Sequence, residues 1–355
     1  MDFRSDNVAT VAPEIMAALA EVNVGPASGY GDDEVTLRTE QAYSELFETK
    51  VRLFPVLTGT IANSLAAAVL SPPWGAIFAE TNAHLNQDEC GAPEFFTGGA
   101  KILPLQGEHG KIPPAELRRA VDGGPKGFVH AVQPAMFSLT QTSEAGSVYS
   151  VAEITELSEI ARSGGLSVHM DGARFANAVA ALNTGNQSCS PADLTWRAGV
   201  DVLSFGATKN GALGAEAIIL FNTDLAEEMA FRHKRAGQLA SKMRFISAQL
   251  EAYIKDGLWL RMAEHANNMC WALADGMGAF AGVRIDAFGG ANELFVELPG
   301  EWVAALREQG FKFYDWPETV AAEPGSRGTI RLVTRHDTNP GEVNGIIAAV
   351  RQLAV

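Results

Sequence analysis

Apolar runs of strand length alternate with longer helical stretches through the first two thirds of the chain, and this order limits the possible folds severely. Residues 51–57, 76–79, 100–104, 127–132, 137–140, 166–170 and 202–205 are short and apolar enough for buried strands. Residues 13–22, 37–47, 59–70 and 151–163 between them carry helical periodicity. Strand, loop and helix recurring in this order predict a parallel sheet with right-handed crossovers. The last third reads differently. A helical, locally basic stretch over 225–257 and a long helix from 258 precede strands near 283–285, 293–297, 311–314 and 329–334, with helices at 302–309 and 340–353. A large domain over 16–254 and a smaller α/β domain over 255–355 are expected, with residues 1–15 packing against the small one. At 355 residues, 47% of them apolar, the chain can bury cores for both.

Ligands of open α/β sheets gather at strand ends, so polar residues there matter most. Lys209 follows the strand at 202–205 in a turn with Gly206, Gly211 and Gly214. A lysine desolvated in such a pocket is an amine nucleophile able to form a Schiff base; in a plain glycine-rich turn it is a surface cation. Asp171 ends the preceding strand, ahead of Gly172 and a helical run. A carboxylate there, one strand from a Schiff-base lysine, suits pyridoxal phosphate, whose ring nitrogen it would keep protonated. Gly59 and Thr60 open a helix whose free amides and dipole favour a phosphate, unless Thr60 is an ordinary N-cap. His84 follows a strand end, where an imidazole either lies flat on a cofactor and moves a proton or is a structural hydrogen-bonder.

Charge narrows the partners. With 27 Lys and Arg against 42 Asp and Glu, the net charge is −15, which argues against nucleic acid and anionic membranes. Three widely spaced cysteines, Cys90, Cys189 and Cys270, offer no metal cluster and fit a reducing compartment. The amino terminus is polar and the apolar run 65–70 is too short to span a bilayer, so a cytoplasmic protein is expected.

Phe3-Arg4-Ser5-Asp6, Tyr30-Gly31-Asp32-Asp33, Thr58-Gly59-Thr60-x-Ala62-Asn63, Asp171-Gly172-Ala173-Arg174 with Ala176-Asn177, and Thr208-Lys209 follow one another in order. Together they resemble the low-specificity L-threonine aldolases, pyridoxal 5'-phosphate enzymes of fold type I. The resemblance runs to about Arg331 and implies a mainly parallel seven-stranded sheet plus a smaller carboxy-terminal α/β domain. It implies that Lys209 carries the Schiff base, Asp171 binds the pyridine nitrogen, His84 stacks on the ring, and Gly59, Thr60 and Thr208 bind phosphate. Ser5, Arg174 and Arg331 look like holders of the substrate carboxylate, with Tyr30 and Gln141 also at the substrate. Arg174 is counted at the cofactor too. A guanidinium grips a carboxylate with two hydrogen bonds, although surface ion pairing is the commoner fate of an arginine. Arg232, Lys234, Arg235, Lys242 and Arg244 either approach the phosphate, including that of a neighbouring subunit, or line a solvated helix face.

Many family members carry a second histidine after the strand ending at Thr140, where this chain offers Gln141. Glutamine is no base, so removal of the substrate's hydroxyl proton falls to His84, a water or His130. The expected activity is reversible cleavage of L-threonine, L-allo-threonine and related β-hydroxy-α-amino acids to glycine and an aldehyde such as acetaldehyde. A bulkier substrate such as phenylserine, a β-eliminating lyase on the same scaffold, and a non-catalytic binding protein are the alternatives. Small-molecule amino acid and aldehyde are the expected partners, and the resemblance implies a homo-oligomer, a dimer or a dimer of dimers.

Overall fold

Seven strands form one sheet in the computed structural model, which describes residues 1–184, 188–285, 288–316 and 325–354. In chain order they are β1 Arg52–Val56, β2 Gly75–Glu80, β3 Lys101–Leu105, β4 Gln133–Thr140, β5 Ser167–Gly172, β6 Val202–Gly206 and β7 Glu216–Leu220. Across the sheet the order is β1-β7-β6-β5-β4-β2-β3. The pairs β2–β3, β2–β4, β4–β5 and β5–β6 are parallel, whereas β7 runs antiparallel to β1 and β6. Strand β7 escapes the sequence reading because it follows the glycine-rich turn directly. Residues 207–215 are too few for a helical crossover, so the chain reverses as a hairpin.

Two other expectations need correction. Residues 127–132 form exposed turns rather than a strand. Gln133 holds them there, its side chain accepting from Gly127 N at 2.7 Å and donating to Ala131 O at 2.9 Å. The stretch 225–257 is broken into helices Ala226–Arg235 and Arg244–Ile254, with Gly237 in the left-handed region between them.

Aromatic side chains build the core on one face of the sheet. Phe205 on β6 meets Tyr43 at 5.2 Å, Phe175 at 5.9 Å and Trp259 at 5.9 Å between ring centroids, drawing three helices onto the strand. The other face is covered by helix Gly59–Leu70, whose Ala66, Ala67 and Ala68 are all buried. Small side chains let this helix sit close to Val202, Ile218 and Leu220.

A second, antiparallel sheet contains β8 Arg284–Ile285, β9 Glu293–Pro299, β10 Tyr314–Trp316 and β11 Arg327–Val333. The amino terminus joins it. Phe3 is fully buried there, donating its N–H to Lys312 O and accepting from Val333 N. Helix Leu258–Gly278 ties the two cores, placing Leu258, Trp259 and Met262 in one and Cys270, Leu273 and Met277 in the other. Among the described residues no helix is long and apolar enough to cross a membrane.

Strand ends approach each other closely where the polar residues gather. A Cβ on Gly206 would lie 2.3 Å from Ala173 O, so only glycine lets the end of β6 pass the chain leaving β5. Gly206→Ala is expected to destabilise the fold by at least about 2 kcal/mol in urea unfolding, because the obstacle is backbone.

His169 crosses three strands: Nδ1 bonds Ser138 Oγ and Nε2 bonds Ser204 Oγ, each at 2.9 Å. Burial lowers its pKa to about 4. The fold therefore holds the ring neutral while the unfolded chain takes a proton below about pH 6.5. Stability from this site is complete above that pH and is lost as pH falls toward 4, by about 3 kcal/mol. Unfolding midpoints at pH 7 and pH 4 should differ less in His169→Gln than in the parent chain.

Candidate active site

A cavity of about 250 Å³ opens at the carboxyl ends of β4, β5 and β6. Thr140, Asp171, Ala173, Arg174, Thr208 and Lys209 reach it from these strand ends, and Leu57, Thr58, Gly59, Thr60 and Asn63 from the turn and helix after β1. His84, Thr142, Glu144, Glu216 and Asn7 complete the wall. The topology thus brings Lys209, Asp171, His84, Gly59, Thr60, Thr208 and Arg174 to one site.

At one end the helix Gly59–Leu70 points its amino terminus into the space. The cap is Thr58, whose Oγ1 accepts from Ile61 N at 3.3 Å. Thr60 is therefore not the cap. The first-turn amides of Gly59 and Thr60 have no carbonyl four residues back within the helix, and a Cβ on Gly59 would meet nothing within 4 Å. Thr208 stands nearby, its Oγ1 accepting from Ala215 N and donating to Ala215 O to close the turn that carries Lys209.

Deeper in, Asp171 is buried and each of its carboxylate oxygens accepts one N–H. Ala173 N reaches Oδ1 at 2.9 Å and Asn63 Nδ2 reaches Oδ2 at 2.7 Å. Asn63 Nδ2 also donates to Glu89 Oε1 at 2.8 Å, and His84 Nδ1 meets that same oxygen at 2.9 Å. The hydrogen bond to Glu89 outweighs burial and raises the His84 pKa. Glu216, also on the wall, accepts from Ala207 N at 2.9 Å, and burial pushes its carboxyl up to about 7.

Arg174 lies on a third side. Its Nε and Nη2 donate to the two oxygens of Asp6 at 2.7 and 3.2 Å, and Nη1 lies 3.2 Å from Glu293 Oε2. Burial alone would raise the Asp6 carboxyl, but Arg174 and Lys209 hold it below its ordinary value. Ser5 is turned to a local task, capping the first helical turn by accepting from Asn7 N at 3.1 Å, so Asn7 rather than Ser5 lines the cavity. Arg331 stands behind Glu293 with Nη1 at 3.9 Å from Oε1, its guanidinium over the rings of Tyr314 and Trp316.

Besides Ser5 and Arg331, three more expected residues are not on the wall of this cavity. Gln141 is fully buried and spends both ends of its amide on the Tyr149 backbone, at 2.8 and 3.0 Å. It follows Thr140 and precedes Thr142, which both face the cavity, so chain alternation turns it the other way. His130 is exposed beside Phe128, ahead of β4 and at the opposite strand end. Tyr30 is exposed with φ 60°, and Lys234 lies 4.8 Å over its ring. The rest of the basic group is also elsewhere, Arg232 pairing with Glu228 and Arg244 with Gly25 O.

The model of the beta-eliminating lyase family matches residues 2–333. The chain belongs to that family. Low specificity L-threonine aldolase of Pseudomonas aeruginosa is 44% identical over 92% of this chain and 91% of its own length. The enzyme of that name from another Pseudomonas strain is 41% identical over 98% and 96%. A threonine aldolase structure from Leishmania major superposes with a TM-score of 0.91 at 26% identity, covering 100% of this chain and 99% of that one. The family resemblance read from the motifs and the fold type I architecture both stand.

This member of the beta-eliminating lyase family also uses residues that the sequence did not single out. Asn63 and Asp6 lie inside quoted stretches, yet nothing in their local pattern, or in that of Glu89 shortly after His84, says which side chain they meet. Glu144, Glu216 and Glu293 carried no signal beyond being acidic residues near strand ends. Glu89→Gln is expected to move the His84 imidazole titration to lower pH, because the carboxylate that favours the protonated ring is gone. Proton NMR of the ring resonances against pH checks this.

Proposed function

We propose that this chain is a pyridoxal-phosphate lyase that cleaves L-threonine, L-allo-threonine and related L-β-hydroxy-α-amino acids to glycine and an aldehyde, reversibly. The observation that carries the reading is one cavity holding a lone lysine, a buried carboxylate fixed by two N–H donors, and a helix amino terminus that faces open space. These residues fit the cofactor's chemistry. Gly59 and Thr60, with Thr208, would hold its phosphate, Asp171 its ring nitrogen, Lys209 its aldehyde carbon, and His84 a face of its ring. When bound, pyridoxal phosphate supplies an imine-forming carbonyl and an electron-accepting ring.

The chain's own groups supply orientation and proton handling. Asp171, its oxygens oriented by Asn63 and Ala173, would keep a proton at the ring nitrogen. Arg174, braced by Asp6, presents its remaining N–H groups to the substrate carboxylate, with Arg331 and Ser5 behind it. Holding that carboxylate would fix the orientation of the bonds at the substrate's Cα and so decide which of them breaks. Lys209 would hold the cofactor between turnovers.

Assembly enters the same reading. Tyr30 and Lys234 face outward on this chain. A second copy would bring such residues to a neighbouring cavity, in a dimer or a dimer of dimers. Three free cysteines suit a cytoplasmic setting.

Purified parent chain given the cofactor should show a long-wavelength absorbance band and release acetaldehyde and glycine from L-threonine. Lys209→Ala should lose the band and the activity by about 10³-fold or more. A band with keto acid and ammonia as products would replace aldol cleavage by elimination. A band in Lys209→Ala equal to the parent's would overturn the role of the lysine.

A further inference from the structure

The geometry points to Glu144 as the catalytic base that takes the β-hydroxyl proton during cleavage. This deepens the aldol reading above and rests on it. Glu144 lines the cavity together with Lys209, His84, Asp171 and Arg174. The other carboxylates of that wall are already engaged. Asp171 accepts from Asn63 and Ala173, and Glu216 accepts from Ala207 N and from both the side chain and the backbone of Thr208. Asp6 and Glu89, just behind the wall, are held by Arg174 and by His84 with Asn63. Glu144 accepts a single backbone hydrogen bond, from His84 N to Oε1 at 3.2 Å, and no hydrogen bond among the described residues engages Oε2. The histidine that could compete has its Nδ1 committed to Glu89.

The loop is built to hold this carboxylate in place. Ser143 N donates to Ser147 O and Gly146 N to Ser143 O, while the hydroxyls of Ser143 and Ser147 both donate to His109 O. Glu144 thus sits on a closed turn rather than a free strand. Burial raises its carboxyl, Asp171 and Glu293 push the same way, and Lys209 and Arg174 oppose them, so it is a stronger base than a solvated glutamate while still able to ionise.

In the step itself, Glu144 Oε2 accepts the hydroxyl proton and the O–H electron pair becomes the second bond of the aldehyde carbonyl. The Cα–Cβ pair stays on Cα, where a bound cofactor would supply the electron sink. Glu144 leaves the step as a neutral carboxylic acid and releases its proton to water. In the synthetic direction it donates that proton to the new alkoxide.

Glycine has no β-hydroxyl, so exchange of its α-proton needs no such base and separates the two halves of the reaction. The test compares holoenzyme of the parent, Glu144→Gln and Glu144→Asp. Glu144→Gln keeps an acceptor for His84 N–H and should fold with an unchanged thermal midpoint. Its kcat/KM for L-threonine should fall about 10²- to 10⁴-fold. Its glycine Kd, read by spectral titration, and its α-proton exchange rate in D2O, read by NMR, should stay within about threefold of the parent. Glu144→Asp should recover about tenfold of the loss. Cleavage by Glu144→Gln within about threefold of the parent overturns the proposal, as does a parallel loss of glycine exchange. A parent holoenzyme that yields keto acid and ammonia instead of aldehyde overturns the aldol reading itself.

Discussion

A carboxylate taken out of water must be paired, and the pairing of Asp171 organises the site. Its oxygens accept from Ala173 N on its own strand end and from Asn63 on the helix after β1. Asn63 also donates to Glu89, which meets His84, so one run of hydrogen bonds joins β5, the helix Gly59–Leu70 and the turn after β2. Inside a low-dielectric cavity each such bond is stronger than in water, and each orphaned partner is costlier. Moving any of these three elements would strand a buried charge. The helix amino terminus, His84 and the buried carboxylate are therefore held at fixed separations before any ligand arrives.

The cavity carries more acid than base, as the whole chain does. Asp171, Glu144 and Glu216 line it, and Asp6 and Glu293 stand just behind, against Lys209 and Arg174. Burial raises the pKa of Glu216 and of Glu144, and at Glu144 the charges of Asp171 and Glu293 push the same way. An anion entering here relies on dipoles rather than on net charge. The amides of Gly59 and Thr60 provide them at the end of the cavity where the helix begins. An ammonium group is favoured at the other end, which agrees with an amino acid as substrate.

Legibility in the sequence followed local geometry. Lys209, Asp171, His84, Gly59 and Thr60 stand at strand ends and helix starts, positions that hydrophobic periodicity and glycine punctuation locate without tertiary knowledge. Gln141 was misplaced because one residue of offset reverses the face of an extended chain, and Thr140 and Thr142 have the inward parity. Asp6 lies 168 residues from Arg174, and Asn292 lies 286 from Asp6, so neither contact leaves a trace in a local pattern. Glu144 was hidden for a different reason: its value depends on every neighbouring carboxylate being engaged, a property of the folded set.

Arg174 shows why a buried ion pair can serve orientation better than affinity. Two of the five N–H groups of a guanidinium are spent on Asp6, which accepts them side by side. Asn292 braces the same carboxylate at 3.1 Å. The guanidinium plane is fixed in consequence, and the N–H groups not facing Asp6 can point in few directions. Glu293, against both Arg174 and Arg331, offsets much of their charge, so an anion beside Arg174 would be drawn less by field than by the direction of those donors. A lysine could supply the charge but not the plane. The direction of the Arg174 donors therefore depends on Asp6, which stands behind the cavity wall because the amino terminus joins the second sheet through Phe3.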